Sequence, residues 1–252
     1  MMVRTEAMDV QHDLDIWQER SNSVGIADLL YAYDNPCPFQ TELADYISDL
    51  FCNDESPSSL EVGSSFGITS ALLPQKFKKS ILDFDSVALT KGVMLFEKIG
   101  QAVDTVNLDI LLADADSLHD RYDVVFSAGL LEHFDERERR AIIETMVRYT
   151  KAGGYLVIGI PNHYWLPYRI IYLLLVILKR WEYPREYKIR NFNAEIGDLD
   201  GITPIAETCL DRGGVYSLYP RHFANIARHV GKICSSEGYL KVFLFQRRGM
   251  IS

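Results

Sequence analysis

Short apolar runs alternate with amphipathic stretches along most of this chain. Ser59-Leu60-Glu61-Val62, Ser80-Ile81-Leu82-Asp83-Phe84, Asp123-Val124-Val125-Phe126-Ser127 and Tyr155-Leu156-Val157-Ile158-Gly159-Ile160 read as strands. Their density of β-branched and apolar residues suits central strands covered on both faces. A further strand is expected near Asn107 to Ala113. Helical spacing falls between these runs. Leu43, Tyr46, Ile47, Leu50 and Phe51 share one face, with Thr41 as the expected N-cap. Helices are also expected through Thr69–Leu73, over Val87–Ile99, and from Glu136 to Thr150 with a stop at Gly153-Gly154. Strands alternating with helices argue for a mainly parallel sheet with helices on both faces.

The pattern loosens after Pro161. Tyr168 to Arg180 predicts an apolar helix, Asn193 to Asp200 a short one, and Pro220 to Cys234 a third with proline in its first turn. Pro204 demotes Ile202–Ala206 to an edge or bulged strand. Tyr239 to Phe245 alternates like a strand and is expected to close the sheet.

Composition narrows the function. The chain has 252 residues, 48% of them hydrophobic, enough for a packed core. Its net charge of −9 speaks against a partner of bulk nucleic acid, whose phosphates demand the opposite sign. The charge is uneven: residues 1–150 hold 12 Lys/Arg against 27 Asp/Glu, whereas residues 151–252 hold 14 against 8. That asymmetry fits either an anionic partner or packing of the basic part against the acidic one. Cys37, Cys52, Cys209 and Cys234 form no C-x-x-C pair, so no metal site is expected, and their scatter suits a reduced, cytoplasmic chain. Met1 to Gln18 has no apolar stretch and does not read as a signal peptide. The longest apolar run, Ile170 to Leu178, makes ~14 Å of helix, too short for a ~30 Å hydrocarbon layer, so no transmembrane segment is expected.

Ligands of open α/β sheets sit outside the carboxyl ends of the strands. Gly63-Ser64-Ser65-Phe66-Gly67 follows the first strand, where glycines let backbone approach a ligand. A tight strand-to-helix turn explains the same residues. Asp85 follows the second strand, 22 residues beyond Gly63. Its two carboxylate oxygens suit a ribose diol, or one of them caps the next helix, a role open to Asp85 or Ser86. Asp114 and Ala115 follow the third strand, Leu131-Glu132-His133 the fourth, and Pro161-Asn162-His163 the fifth.

Taken in order, these loops resemble the class I S-adenosylmethionine-dependent methyltransferases, of the small-molecule type with an LEH element. Glu61, Gly63 and Gly67 match the family's E/D-x-G-x-G-x-G, and Ser65 departs from it. Asp83 to Leu89 resembles D-x-S-x-x-A-L, Asp114 to Leu118 resembles D-A-x-x-L, and Tyr122 to His133 resembles the strand ending in L-E-H. Gly153 to Asn162 resembles G-G-x-L-x-I-x-x-P-N. The likeness spans about residues 57–163. It implies a Rossmann-like three-layer sandwich, with a seven-stranded, mostly parallel sheet whose last strand is antiparallel. It implies S-adenosylmethionine as cofactor, held by Glu61, Gly63, Ser65, Gly67, Asp85, Ser86, Asp114, Ala115 and Ala128. Asp85 would hold the ribose and Asp114 would face adenine. Residues 1–252 then form one domain: a helical cap over 1–56, a cofactor core over 57–163, and an acceptor side over 164–252.

Transfer from a sulfonium is an in-line displacement, and alignment alone can supply ~7–11 kcal/mol. A hydroxyl or ammonium acceptor also needs a base, and His133 and His163 stand after the right strands. His133 serves equally as a brace for the helix start. Tyr164, Trp165, Tyr168, Tyr172, Trp181, Tyr183 and Tyr187 make an aromatic stretch suited to a small-molecule or lipid-like acceptor. Arg169, Lys179, Arg180, Arg185, Lys188 and Arg190 lie beside it. Membrane contact through the 168–180 helix is one outcome; burial or a homodimer face is favoured, because the helix is apolar all round. Trp17 and Arg20 are candidates to close over the cofactor. Two other readings stay open: a methyltransferase-fold partner or scaffold without turnover, and a nicotinamide-dependent dehydrogenase, disfavoured by Ser65 and Ser70 at glycine positions.

Overall fold

The computed structural model describes residues 14–112, 115–181, 183–184, 186–197, 199–219, 223, 225–227, 229–230 and 238–249. One seven-stranded sheet organises them, in the order β3-β2-β1-β4-β5-β7-β6. The strands are β1 (Ser58–Val62), β2 (Lys78–Asp83), β3 (Asp104–Asn107), β4 (Tyr122–Ala128), β5 (Thr150–Pro161), β6 (Ile202–Leu210) and β7 (Leu240–Arg247). β1 through β5 pair in parallel, and β7 runs antiparallel to both β5 and β6. The reversed strand therefore sits inside the sheet, and β6 forms the edge. Its Pro204 lies at a register shift against β7, where a missing N–H costs no ladder bond.

Alternation in the strands builds two apolar layers. Leu60, Leu82, Val125, Leu156 and Ile158 pack with Ile142, Ile143 and Met146 of α6 (Glu136–Tyr149). Val124, Phe126, Val157, Val242 and Leu244 point the other way, onto Leu43, Ala44 and Ile47 of α3 (Pro38–Asp49). Residues 14–23 form α1, followed by α2 (Ile26–Asp34), which packs with α4 (Ile68–Leu72) and α5 (Ser86–Lys98) around Phe66, Leu95 and Phe96. α7 (Leu166–Ile177) and α8 (Phe192–Ile196) follow β5.

Several boundaries differ from expectation. α3 starts at Pro38 rather than Thr41: proline takes the first turn, and the Gln40 side chain accepts from the Cys37 N–H at 3.1 Å. β3 ends where it was expected to begin. It is an exposed edge strand with little apolar signature, whereas the apolar Ile110 belongs to a turn that plugs the core. α6 ends at Tyr149, and Gly153-Gly154 lies within β5, where the pairing with β4 shifts register. Gly153 is left-handed (φ +80°), and a Cβ on Gly154 would stand 2.8 Å from the Asp123 carbonyl oxygen. The pair serves a bulge, not a helix stop. α7 is buried on one side only, through Pro167, Tyr168, Ile171 and Tyr172. Most of the expected 220–234 helix lies outside the described residues.

Candidate active site

Because β1, β2, β4 and β5 are parallel neighbours, their carboxyl ends share one rim. The turn after β1 is tightly wound: Gly63, Ser65 and Gly67 all have positive φ, at +66°, +49° and +71°. Gly63 and Ser64 donate to the Leu82 carbonyl at 2.9 and 3.1 Å. A Cβ on Gly63 would stand 2.6 Å from Leu130 Cδ1, so the turn is pressed against the loop after β4. Glu61 is buried and its Oε2 accepts from the Ser70 N–H in α4 at 2.9 Å. Burial raises its pKa to about 7; hydrogen bonds from Ser70 and Thr69 oppose the shift, and the neighbouring Asp83 adds to it.

The second loop is tied to the first by a residue whose role sequence reasoning did not single out. Asp83 accepts the Ser65 N–H on Oδ2 at 2.7 Å and the Asp85 N–H on Oδ1 at 3.0 Å. Burial raises the Asp83 pKa, although these backbone donors pull it down. Asp85 is buried, and its Oδ1 accepts from Val87 and Ala88 as the N-cap of α5. Asp85, rather than Ser86, is thus the cap, and Ser86 is the first residue of the helix. The other oxygen of Asp85, Oδ2, is buried and has no hydrogen-bond partner among the described residues. An orphaned buried carboxylate oxygen is costly unless a ligand supplies donors.

Of the remaining cofactor candidates, Ala128 lies on the same rim. Ala128 ends β4 and pairs with Gly159. Ala115 follows the β3 turn, its N–H donating to the Tyr149 hydroxyl at 3.0 Å. Asp114 lies outside the described residues. A cleft of about 400 Å³ beside this rim runs down between α5 and β3, from Ser86 and Asn107 to Glu97.

The two histidines occupy different surroundings. His133 closes a 3-10 turn, Leu131–His133, and is half-buried beneath Trp17, ring centroids 5.5 Å apart and edge-on. Trp17 also meets Tyr183 at 5.8 Å, and the Arg20 guanidinium stacks on the same tyrosine at 4.5 Å. Lys91 of α5 fastens this cap, donating to the carbonyls of Ser21, Asn22 and Val24. His163 is buried between Tyr168 and Tyr172. Its Nε2 lies 2.9 Å from Glu186 Oε2, a charge-pairing distance out of line for a hydrogen bond, and Arg169 approaches Nδ1 at 3.3 Å.

Two buried acids beside these histidines escaped sequence reasoning. Glu132 is 2% exposed, with Oε2 unpartnered among the described residues. Its pKa is raised, first by burial and then by the Glu186 carboxylate. Glu186 accepts a 2.6 Å hydrogen bond from the Tyr168 hydroxyl. Glu132 belongs to the L-E-H element, so its position was in view; its burial was not, because Glu186 and Tyr187, which lie against it, sit in a stretch without periodic pattern. Tyr187 N–H donates to the Glu132 carbonyl, which seats that segment over the loop after β4.

Comparison with known proteins agrees with this geometry. Residues 60–154 match a family model described as a methyltransferase domain. No curated protein matches the chain in sequence. Among solved structures, the N-methyltransferase NodS of Bradyrhizobium japonicum WM9, in complex with S-adenosyl-L-homocysteine, superposes with a TM-score of 0.55 at 17% identity, over 85% of this chain and 90% of that one. The geranyl diphosphate C-methyltransferase of Streptomyces coelicolor A3(2) gives 0.58 at 11%, over 83% and 78%. The magnesium protoporphyrin IX methyltransferase of Synechocystis PCC 6803 gives 0.55 at 12%, over 82% of each. Residues 60–154 thus match a methyltransferase domain, and the chain has the fold of the class I S-adenosylmethionine-dependent methyltransferases.

Proposed function

We propose that this chain transfers a methyl group from S-adenosylmethionine to a small-molecule or lipid-like acceptor carrying an ionisable hydroxyl or amine. The observation that carries the reading is the orphaned Asp85 Oδ2, buried on the same rim as the left-handed turn at Gly63–Gly67. The residues present fit the cofactor. Asp85 Oδ2 offers a charged acceptor to ribose hydroxyls, and the left-handed turn at Gly63–Gly67, packed against Leu130, sets its backbone on the same rim. Ser65, Gly67, Ser86 and Ala128 complete the wall, with Glu61 and Asp83 holding the turns in place; Asp114 and Ala115, after the third strand, are assigned to the adenine by the family resemblance alone.

When bound, S-adenosylmethionine supplies a methyl already activated on a positive sulfur. The chain then has to bind, orient and take up a proton. Trp17, Tyr183 and Tyr187 exclude water from above the loop after β4. A proton leaving the acceptor goes to Glu132 Oε2, helped by His163 and Glu186 below it; His133 under Trp17 is the other group in place to receive it. Burial and the Glu186 carboxylate raise the Glu132 pKa, which makes it the stronger proton acceptor whenever it is ionised.

Calorimetric titration of the purified chain with S-adenosylhomocysteine tests the reading. One site per chain is expected, with NAD giving no heat. A flat titration with both S-adenosylhomocysteine and S-adenosylmethionine would overturn it.

A further inference from the structure

We infer that the outward face of α7 seats this protein on an anionic membrane surface. Leu166, Ile170, Leu173, Leu174 and Ile177 recur along one side of the helix and are 41–76% exposed, Ile177 most of all. The opposite side is spent on the core through Tyr168, Ile171 and Tyr172. Two more large apolar side chains, Phe223 and Ile226, are each 60% exposed on the helical residues near Ala227, which packs into the same cluster. Single exposed apolar residues are ordinary; a continuous stripe along three turns is not.

Charge selects the occupant. Lys179 and Arg180 are exposed just past the last turn of α7. At the other end the Lys188 ammonium lies 4.2 Å over the exposed ring of Tyr164. Cations thus stand at both ends of the apolar stripe. A lipid surface answers both features, taking the aliphatic side chains below the headgroups and the cations among the phosphates. A second copy of the same face answers only one. Whether two α7 helices pair parallel or antiparallel, cations meet cations. The 12 residues of α7 make ~18 Å of helix, too short to span, and no helix among the described residues is long and apolar enough to cross a membrane. α7 therefore lies in the plane of the interface. The acidic first 150 residues would be repelled by the same surface, which fixes the orientation.

Sedimentation of the full chain with extruded vesicles tests this. Vesicles of phosphatidylcholine with about one quarter phosphatidylglycerol should carry the chain down, and phosphatidylcholine alone should do so far less. Leu173→Asp with Ile177→Asp should lower the bound fraction at least about tenfold, and Lys179→Glu with Arg180→Glu should remove the salt dependence. Both variants should keep the thermal midpoint and cofactor affinity of the parent. Should the aspartate pair fail to fold, Leu174→Cys bearing an environment-sensitive dye reports insertion by a blue shift on the anionic vesicles. The inference is overturned if the parent chain ignores both vesicle types, if the dye does not shift, or if light scattering finds a stable dimer that the aspartate pair dissociates. None of these readouts depends on methyl transfer, so they stand or fall apart from the proposed activity.

Discussion

Replacing Asp85 by asparagine separates two jobs that one carboxylate performs. Oδ1 caps α5 by accepting from Val87 and Ala88 at 2.8 and 3.3 Å, while Oδ2 is buried and unpartnered. Asparagine keeps an acceptor for the cap and puts an NH2 where Oδ2 was. As N-caps the two residues are nearly equivalent, so the variant should unfold within about 1 kcal/mol of the parent. Ribose hydroxyls, however, would meet a donor in place of a charged acceptor. Hydrogen bonds to charged groups contribute about 1.5–3 kcal/mol, so losing one weakens binding roughly 10- to 150-fold. Calorimetry with S-adenosylhomocysteine reads the second effect, and thermal unfolding reads the first. Asp85→Ala is the control: it should lose the affinity and also about 1 kcal/mol of stability with the cap. Parent-like affinity in a folded Asp85→Asn chain would refute the assignment of Oδ2 to the ribose.

Three further outcomes follow from the same rim. Ser65 sits at φ +49°, which favours glycine, so Ser65→Gly should stabilise the chain by roughly 0.5–1 kcal/mol, a rise in Tm of a few degrees, without loss of cofactor affinity. Gly63→Ala should do the reverse: its Cβ would stand 2.6 Å from Leu130 Cδ1 at φ +66°, costing about 1–3 kcal/mol and displacing the loop after β4, read as a lower Tm and weaker binding. Glu61 titrates near 7 in the fold against about 4.3 unfolded, because burial favours the neutral acid. A raised carboxyl pKa contributes stability that is complete below about pH 4.3 and lost as pH rises through 7; the difference is on the order of 4 kcal/mol. Glu61→Gln keeps an acceptor for Ser70 and should flatten that decline between pH 5 and 8; an unchanged slope would contradict the buried titration.

Much of the fold was legible because its central strands are covered on both faces and so read as dense apolar runs. β1, β2, β4 and the body of β5 fall where those runs lie. β3 did not, since an exposed edge strand needs little apolar character, and the run at Ile110–Leu112 that imitates a strand is a turn with one core anchor. The Gly153-Gly154 pair misled for a related reason: glycine marks any tight backbone, and only the pairing of β4 with β5 distinguishes a bulge from a helix stop. Within the candidate site, Gly63 and Asp85 were singled out from their places after strands, and Glu61, inside β1, from the family resemblance. Asp83 was not, because its role is to join two loops brought together by the parallel pairing of β1 and β2. Glu132 and Glu186 were hidden for the same reason: a carboxylate looks solvated in sequence, and burial is a property of what folds over it.

The most direct test of the account is a crystal structure of the chain with S-adenosylhomocysteine bound. The account predicts ribose hydroxyls within hydrogen-bonding distance of Asp85 Oδ2 and the sulfur directed toward Glu132 and His133 beneath Trp17. Density for the adenosyl group in the groove between α5 and β3, with Asp85 Oδ2 still untouched, would contradict it.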